Sequence, residues 1–178
     1  MLEKYYPYEY AMDVFEIDYP KLYQLGYRGI VFDIDNTLVH HGDDSTKEID
    51  ALFAFIHALG FQTLLLTNND EARVLRFIQN IPTQYIYEAG KPDPKCFLEA
   101  VEKLGLPKEK VIYVGDQVFT DIIGANAAGL ANILVHFIQL PEEKWIGKRR
   151  YIEKAILFFY RHNKKYYQRL GNIVKKGR

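Results

Sequence analysis

Asp33 and Asp35 stand two residues apart at the end of an apolar run, in residues 28–42, RGIVFDIDNTLVHHG. In extended backbone, side chains at i and i+2 point to the same side, so the two carboxylates are close neighbours. Like charges that close are unfavourable unless a cation joins them or one of them takes up a proton. The pair is therefore either a catalytic and metal-binding site or an accident of a strand end. Three more polar groups follow apolar runs downstream. They are Thr67-Asn68-Asn69, Lys91-Pro92, and Gly115-Asp116 with Thr120 and Asp121 just beyond.

The elements that must position these groups come from hydrophobic periodicity. Between Ile30 and His136, short apolar runs alternate with longer amphipathic ones. GIVFDI, FQTLLLT, a weaker QYIYEA, KVIYVGD and ANILVH read as strands; residues 46–59, 70–79, 94–104 and 119–128 read as helices. Ile49, Leu52, Phe53 and Ile56 recur at three- and four-residue steps, which gives one apolar face. Gly60, Gly105 and Gly129 follow helices where a left-handed C-cap is favoured. Strands apolar on both faces, alternating with helices, predict a three-layer α/β fold around a mostly parallel sheet. Ligands bind such sheets beyond the carboxyl ends of the strands, where all four polar groups fall.

Each group also has an ordinary structural reading. Asn68 or Asn69 could cap the helix that follows, Asp93 with Pro94 could cap the next, and Thr120 or Asp121 the one after. Their coincidence at successive strand ends favours a site. His40-His41 reads as an exposed loop pair, and Cys96, within a helical pattern, as a small core residue.

DxDxT, T-N, K-P and GDxxxxD, in that order, resemble the four motifs of the haloacid dehalogenase-like (HAD) phosphohydrolase superfamily over roughly residues 28–136. The resemblance implies a Rossmann-like fold and a role for each residue. Asp33 would attack phosphorus to form an aspartyl-phosphate. Asp35 would protonate the leaving oxygen and then activate water; an aspartate here, rather than a threonine, points to a phosphatase. Thr67 and neighbouring N–H groups, with Asn68, would hold phosphate oxygens, and Lys91 would supply positive charge to them. Asp33, Asp35, Asp116 and Asp121 are four negative charges against Lys91 alone, so a dianionic phosphate needs a divalent cation. Carboxylate donors suit Mg²⁺. Asp33 and Asp116 are expected as direct ligands, with Asp35 through its backbone carbonyl as the resemblance implies, and Asp121 through water or by orienting Lys91.

About 30 residues separate Asp35 from Thr67, and 21 separate Asn69 from Lys91, too few for an inserted cap domain. An open site suits phosphate on something large. Within the superfamily, DIDNTLV, TNN, KP and GDQVFTD after a Tyr- and Pro-containing lead-in resemble the capless, subfamily IIIA, YqeG-type proteins. That group is related to mitochondrial phosphatidylglycerophosphate phosphatases, which implies that lipid as substrate.

At 178 residues, 48% apolar and 26% charged, the chain reads as one globular unit in three parts. These are a helical lead-in over 1–28 (helix from about Tyr10 to Gly26), a phosphatase core over 29–140, and a basic amphipathic helix over 141–178. One cysteine, no signal-peptide pattern and no membrane-length apolar window predict a cytoplasmic protein, peripheral at most on a membrane. Zero net charge hides an asymmetry. Residues 1–143 carry 11 Lys+Arg against 22 Asp+Glu, net −11, and residues 144–178 carry 12 against Glu153 alone, net +11.

In that tail, Ile152, Ile156, Phe159, Tyr166, Leu170 and Ile173, with Asn163, form an apolar stripe flanked by Arg149, Arg150, Arg161, Lys164, Lys165 and Arg169. A helix of this kind could lie in a membrane interface with Trp145 at headgroup level. It could also dock on its own body, pair two chains through Asn163, or bind nucleic acid. The membrane is the preferred partner. A phosphatase for nucleic-acid ends or phosphoproteins, and a non-catalytic scaffold, are the competing functions.

Overall fold

Runs of Val, Ile, Leu and Phe four or five residues long need cover on both faces, and a parallel sheet between helices supplies it. The computed structural model describes residues 2–143 and 147–175, so Trp145 lies outside the described residues. Six strands are present: β1 (Glu9–Ala11), β2 (Gly29–Phe32), β3 (Gln62–Leu66), β4 (Gln84–Ile86), β5 (Val111–Gly115) and β6 (Ala131–Val135). They lie in the order β1-β6-β5-β2-β3-β4, and every neighbouring pair is parallel. The sheet expected to be mostly parallel is parallel throughout.

Alternation along β2 divides the core. Ile30 and Phe32 face a layer containing α1 (Tyr19–Gln24), α2 (Lys47–Ala58) and α3 (Glu71–Phe77), through Leu22, Phe53 and Phe77 among others. Val31 faces the opposite layer, α4 (Pro94–Leu104) and α5 (Ile123–Ala128), through Phe97, Ala100 and Ala125. Thr46, Asp70 and Asp93 cap α2, α3 and α4 by accepting the N–H of Ile49, Arg73 and Lys95. Since Asp70 caps α3, Asn68 and Asn69 are left for other contacts. The chain enters α5 through a π-helical turn, Val118–Ile122, so Thr120 and Asp121 lie inside a helical turn and do not cap one.

Two expectations are corrected. The lead-in is not one helix. Glu9–Ala11 extends along the open edge of β6, Asp13 turns the chain by accepting the N–H of Phe15 and Glu16, and Asp18 caps the short α1. The tail is not one helix either. α6 (Lys148–Arg161) stops where the Asn163 carbonyl accepts the N–H of Tyr166 and Tyr167, and the bend breaks the expected stripe. Ile156, Tyr160 and Ile173 are buried on the body, whereas Ile152 and Phe159 are 53% exposed each. Beyond the bend, Ile173 and Lys175 bond the backbone of Asp18 and Glu16, and Glu9 accepts the N–H of Leu170 and Asn172. Among the described residues, no helix is long and apolar enough to cross a membrane.

Candidate active site

The carboxyl ends of β2, β3 and β5 converge on a polar cavity of about 210 Å³. Asp33, Asp35, Thr67, Asn68, Lys91 and Asp121 line it, so six of the seven residues given a site role from the sequence border one space. Asp116 is buried beside it.

Asp33 follows β2 directly, with its N–H on the Val114 carbonyl of β5. Lys91 Nζ donates to Asp33 Oδ1 at 2.6 Å, to Asp121 Oδ1 at 2.8 Å and to the Tyr113 hydroxyl at 3.0 Å. Asp121 is held in turn by the Tyr113 hydroxyl at 2.6 Å and the Gln117 N–H at 2.9 Å. A Cβ at position 115 would sit 2.6 Å from Asp121 Cγ, so only glycine lets this carboxylate fold over the strand end. Thr37 Oγ1 lies 3.2 Å from Asp33 Oδ2 and 3.3 Å from Asp116 Oδ1, between the two carboxylates.

Asp35 is gripped by three donors: the Gly42 N–H at 2.8 Å, Arg73 Nη2 at 3.0 Å, and the Asn69 amide. The Asn68 side chain brackets Lys91, accepting its N–H at 2.8 Å and donating to its carbonyl at 3.1 Å. Its direct effect is to place the lysine. The Thr67 hydroxyl accepts the Asn69 N–H at 3.2 Å. His41 is at the mouth, 69% exposed and 3.7 Å from Asp35, whereas His40 pairs with Glu143 at 2.9 Å. Cys96 is a buried core residue, and burial pushes its thiol up to about 11.

Two arginines at the site were not expected there: Arg73 was given no role, and Arg150 was read as a cation on the flank of the tail stripe. Arg73 lies on the buried face of α3, where an amphipathic pattern gives no hint of a charge turned inward. Arg150, in the first turn of α6, bonds the Asp116 carboxylate. The only hint was Glu153, the single acid of the tail, which pairs with Arg150 at 3.0 Å.

The ionisable groups do not balance. Asp33, Asp35, Asp116, Asp121 and Glu153 face Lys91, Arg73 and Arg150, a surplus of two negative charges if all ionise. Burial pushes Asp33 up to about 6, against the pull of Lys91. It pushes Asp116 up to about 8, with Asp121 and Asp33 adding to the rise and Arg150 opposing it. Burial also works against the Lys91 ammonium, but Asp121 and Asp33 outweigh it and raise Lys91 above its ordinary value. One oxygen each from Asp33, Asp116 and Asp121 lie within 4.8 Å of one another. Hard donors with a surplus charge of two fit a divalent cation of the Mg²⁺ type.

A model of the haloacid dehalogenase-like hydrolase family matches residues 42–129. The chain is also 33% identical over 159 residues to "Probable phosphatase YqeG" of Bacillus subtilis (strain 168), covering 88% of this chain and 92% of that one. This chain belongs to the haloacid dehalogenase-like hydrolase family. It is 29% identical over 163 residues to the Arabidopsis thaliana phosphatidylglycerophosphate phosphatase 1, chloroplastic/mitochondrial, covering 85% of this chain and 47% of that protein. NagD from E. coli K-12 shares the fold at 13% identity, with a TM-score of 0.54 over 68% of this chain and 94% of that one.

Proposed function

We propose that this HAD-type phosphatase cleaves a phosphate monoester through Asp33, with a divalent cation, on the headgroup of a phospholipid such as phosphatidylglycerophosphate. The observation that carries the reading is the placement of Asp33: buried at the cavity wall, bonded to Lys91 on one oxygen, and beside Asp35. In the first step Asp33 attacks phosphorus, the bond to the leaving oxygen breaks, and Asp35 gives that oxygen a proton. Asp35 must exchange one of its three donors for the leaving group to do so. In the second step Asp35 takes a proton from water, which attacks the aspartyl-phosphate and frees Asp33. Lys91, bonded to Asp33, would supply positive charge to the transferring oxygens. Asp33 and Asp116, with the Asp35 carbonyl and with Asp121 behind, would hold Mg²⁺, which when bound supplies the positive charge a dianionic phosphate needs to approach.

Three features support a lipid substrate. Within the described residues the site has no cap over it, and the family relative from Arabidopsis carries a phosphatidylglycerophosphate phosphatase name. α6 also turns Tyr151, Ile152, Phe158 and Phe159 outward at 52–59% exposure, among Lys148, Arg149, Lys154 and Arg161. This composition suits contact with an anionic membrane surface.

The test compares Mg²⁺-dependent phosphate release from phosphatidylglycerophosphate in anionic vesicles with release from p-nitrophenyl phosphate, using Asp33→Asn as the blank. Faster turnover of the vesicle substrate, abolished in the variant, is expected. Turnover of the soluble ester alone would remove the lipid and keep the chemistry. Activity surviving in Asp33→Asn would remove the chemistry.

A further inference from the structure

α6 lies outside residues 42–129, the stretch matched by the family model, yet its first turn reaches the carboxylate cluster. Arg150 Nη1 donates to the Asp116 carbonyl at 2.7 Å and to Glu153 Oε2 at 3.0 Å, while Nη2 donates to Asp116 Oδ2. Glu153 Oε1 accepts the Val118 N–H at 2.9 Å. The guanidinium lies over the Phe137 ring, 4.4 Å from its centroid. These bonds close a ring running from Asp116 through Arg150 and Glu153 to Val118, two residues past Asp116. The ring is buried, with side-chain exposures of 0% for Asp116, 12% for Arg150 and 9% for Glu153.

The two oxygens of Asp116 have different neighbours. Oδ2 is taken by Arg150. Oδ1 points to Thr37 Oγ1, which also touches Asp33 Oδ2, so Oδ1 is the oxygen on the side of the acidic cluster. A carboxylate held at one oxygen and at its own backbone carbonyl cannot swing its free oxygen away. Arg is suited to this task because its planar fork makes both bonds at once, whereas Lys presents a single point charge.

We propose that Arg150 is a positioning residue of the cation site, fixing Asp116 through Oδ2 and the backbone so that Oδ1 is presented to a divalent cation, with Glu153 fixing Arg150. This rests on the reading of Asp116 as a cation ligand. The terminal segment thereby becomes a working part of the site through this one side chain. The contrary role for the same contact is competition, in which Arg150 occupies a place the cation needs.

Calorimetric titration of the full chain with Mg²⁺ alone separates these cases. Asp116→Asn is expected to remove Mg²⁺ binding; if binding survives, the ligand assignment falls and takes this proposal with it. Arg150→Gln is expected to weaken Mg²⁺ about 10- to 100-fold, the usual effect of losing a group that orients a metal ligand. Arg150→Lys is expected to recover part of that loss, and Glu153→Gln to show a smaller one. Ile156→Ala loosens the same helix without touching Asp116, and is expected to lower Tm while leaving Mg²⁺ affinity unchanged. Unchanged or tighter Mg²⁺ binding in Arg150→Gln, or an equal loss in Ile156→Ala, would overturn the proposal.

Discussion

At the carboxyl end of the sheet, five carboxylates and three cations are packed together with side-chain exposures of 12% or less. On α6 and the segment beyond it, Lys148, Arg149, Lys154, Arg161, Lys164 and Lys165 all stand in solvent. The two regions hold opposite excesses of charge, and the surroundings decide what that charge does. A buried ion must have its partner at bonding distance, and removing one partner leaves the other uncompensated in a poor solvent for ions. An exposed ion contributes little to folding, about 1 kcal/mol at most per pair, and keeps its field for an external partner. Substitutions in the site should therefore be severe and specific, and those on the outer face of α6 nearly silent until a surface is offered.

The largest effect is expected at Asp33. Asp33→Asn keeps size but removes the carboxylate proposed to attack phosphorus, so phosphate release should fall by about 10⁴-fold or more with an unchanged circular dichroism spectrum. Lys91→Met comes next. It leaves Asp33 and Asp121 without their shared cation, and urea unfolding should show a loss of about 3–5 kcal/mol as well as lost turnover. A stability change below about 1 kcal/mol would mean that the cluster does not depend on this lysine as the contacts imply.

A graded effect follows from the raised carboxylates. Asp33 and Asp116 hold protons to about 6 and about 8 in the cation-free fold, above an ordinary value of 3.8. Between those limits the folded chain binds more protons than the unfolded one, so stability falls as pH rises from about 4 to 8. The Tm of cation-free protein should decline across that window, and Mg²⁺ should restore more at pH 8 than at pH 5. A cation-free Tm that rises from pH 5 to 8 would contradict this. The smallest effect belongs to the outer face of α6. Phe158→Ser with Phe159→Ser should change unfolding free energy by no more than about 0.5 kcal/mol while reducing co-sedimentation with anionic vesicles. A large loss of stability would mean that this face is covered by the protein itself.

The same contrast explains what could be read from the sequence. Asp33, Asp35, Thr67, Lys91, Asp116 and Asp121 were legible because each follows an apolar strand, and the strand-end rule for parallel sheets brings them together. The helix boundaries at Asp93-Pro94 and Gly105 were legible from local capping chemistry. Arg73 and Arg150 were not, because a cation in an amphipathic helix or in a Lys-Arg-Arg run is ordinarily solvated, and only tertiary packing turns it inward. β1 was missed because three residues carry too little periodicity, and its pairing depends on the free edge of β6. The bend at Asn163 was missed because the apolar spacing continued through it; the stripe was real in sequence, but the chain does not stay helical long enough to use it.

The most direct test of the central claim is to trap the acyl-phosphate. Protein mixed with phosphatidylglycerophosphate and Mg²⁺ would be quenched in acid, reduced with borohydride, digested and examined by mass spectrometry. The account predicts homoserine in place of Asp33, dependent on substrate and on Mg²⁺, with Asp35 unmodified. Reduction at Asp35, or none at either aspartate while p-nitrophenyl phosphate under the same quench also yields none, would contradict it.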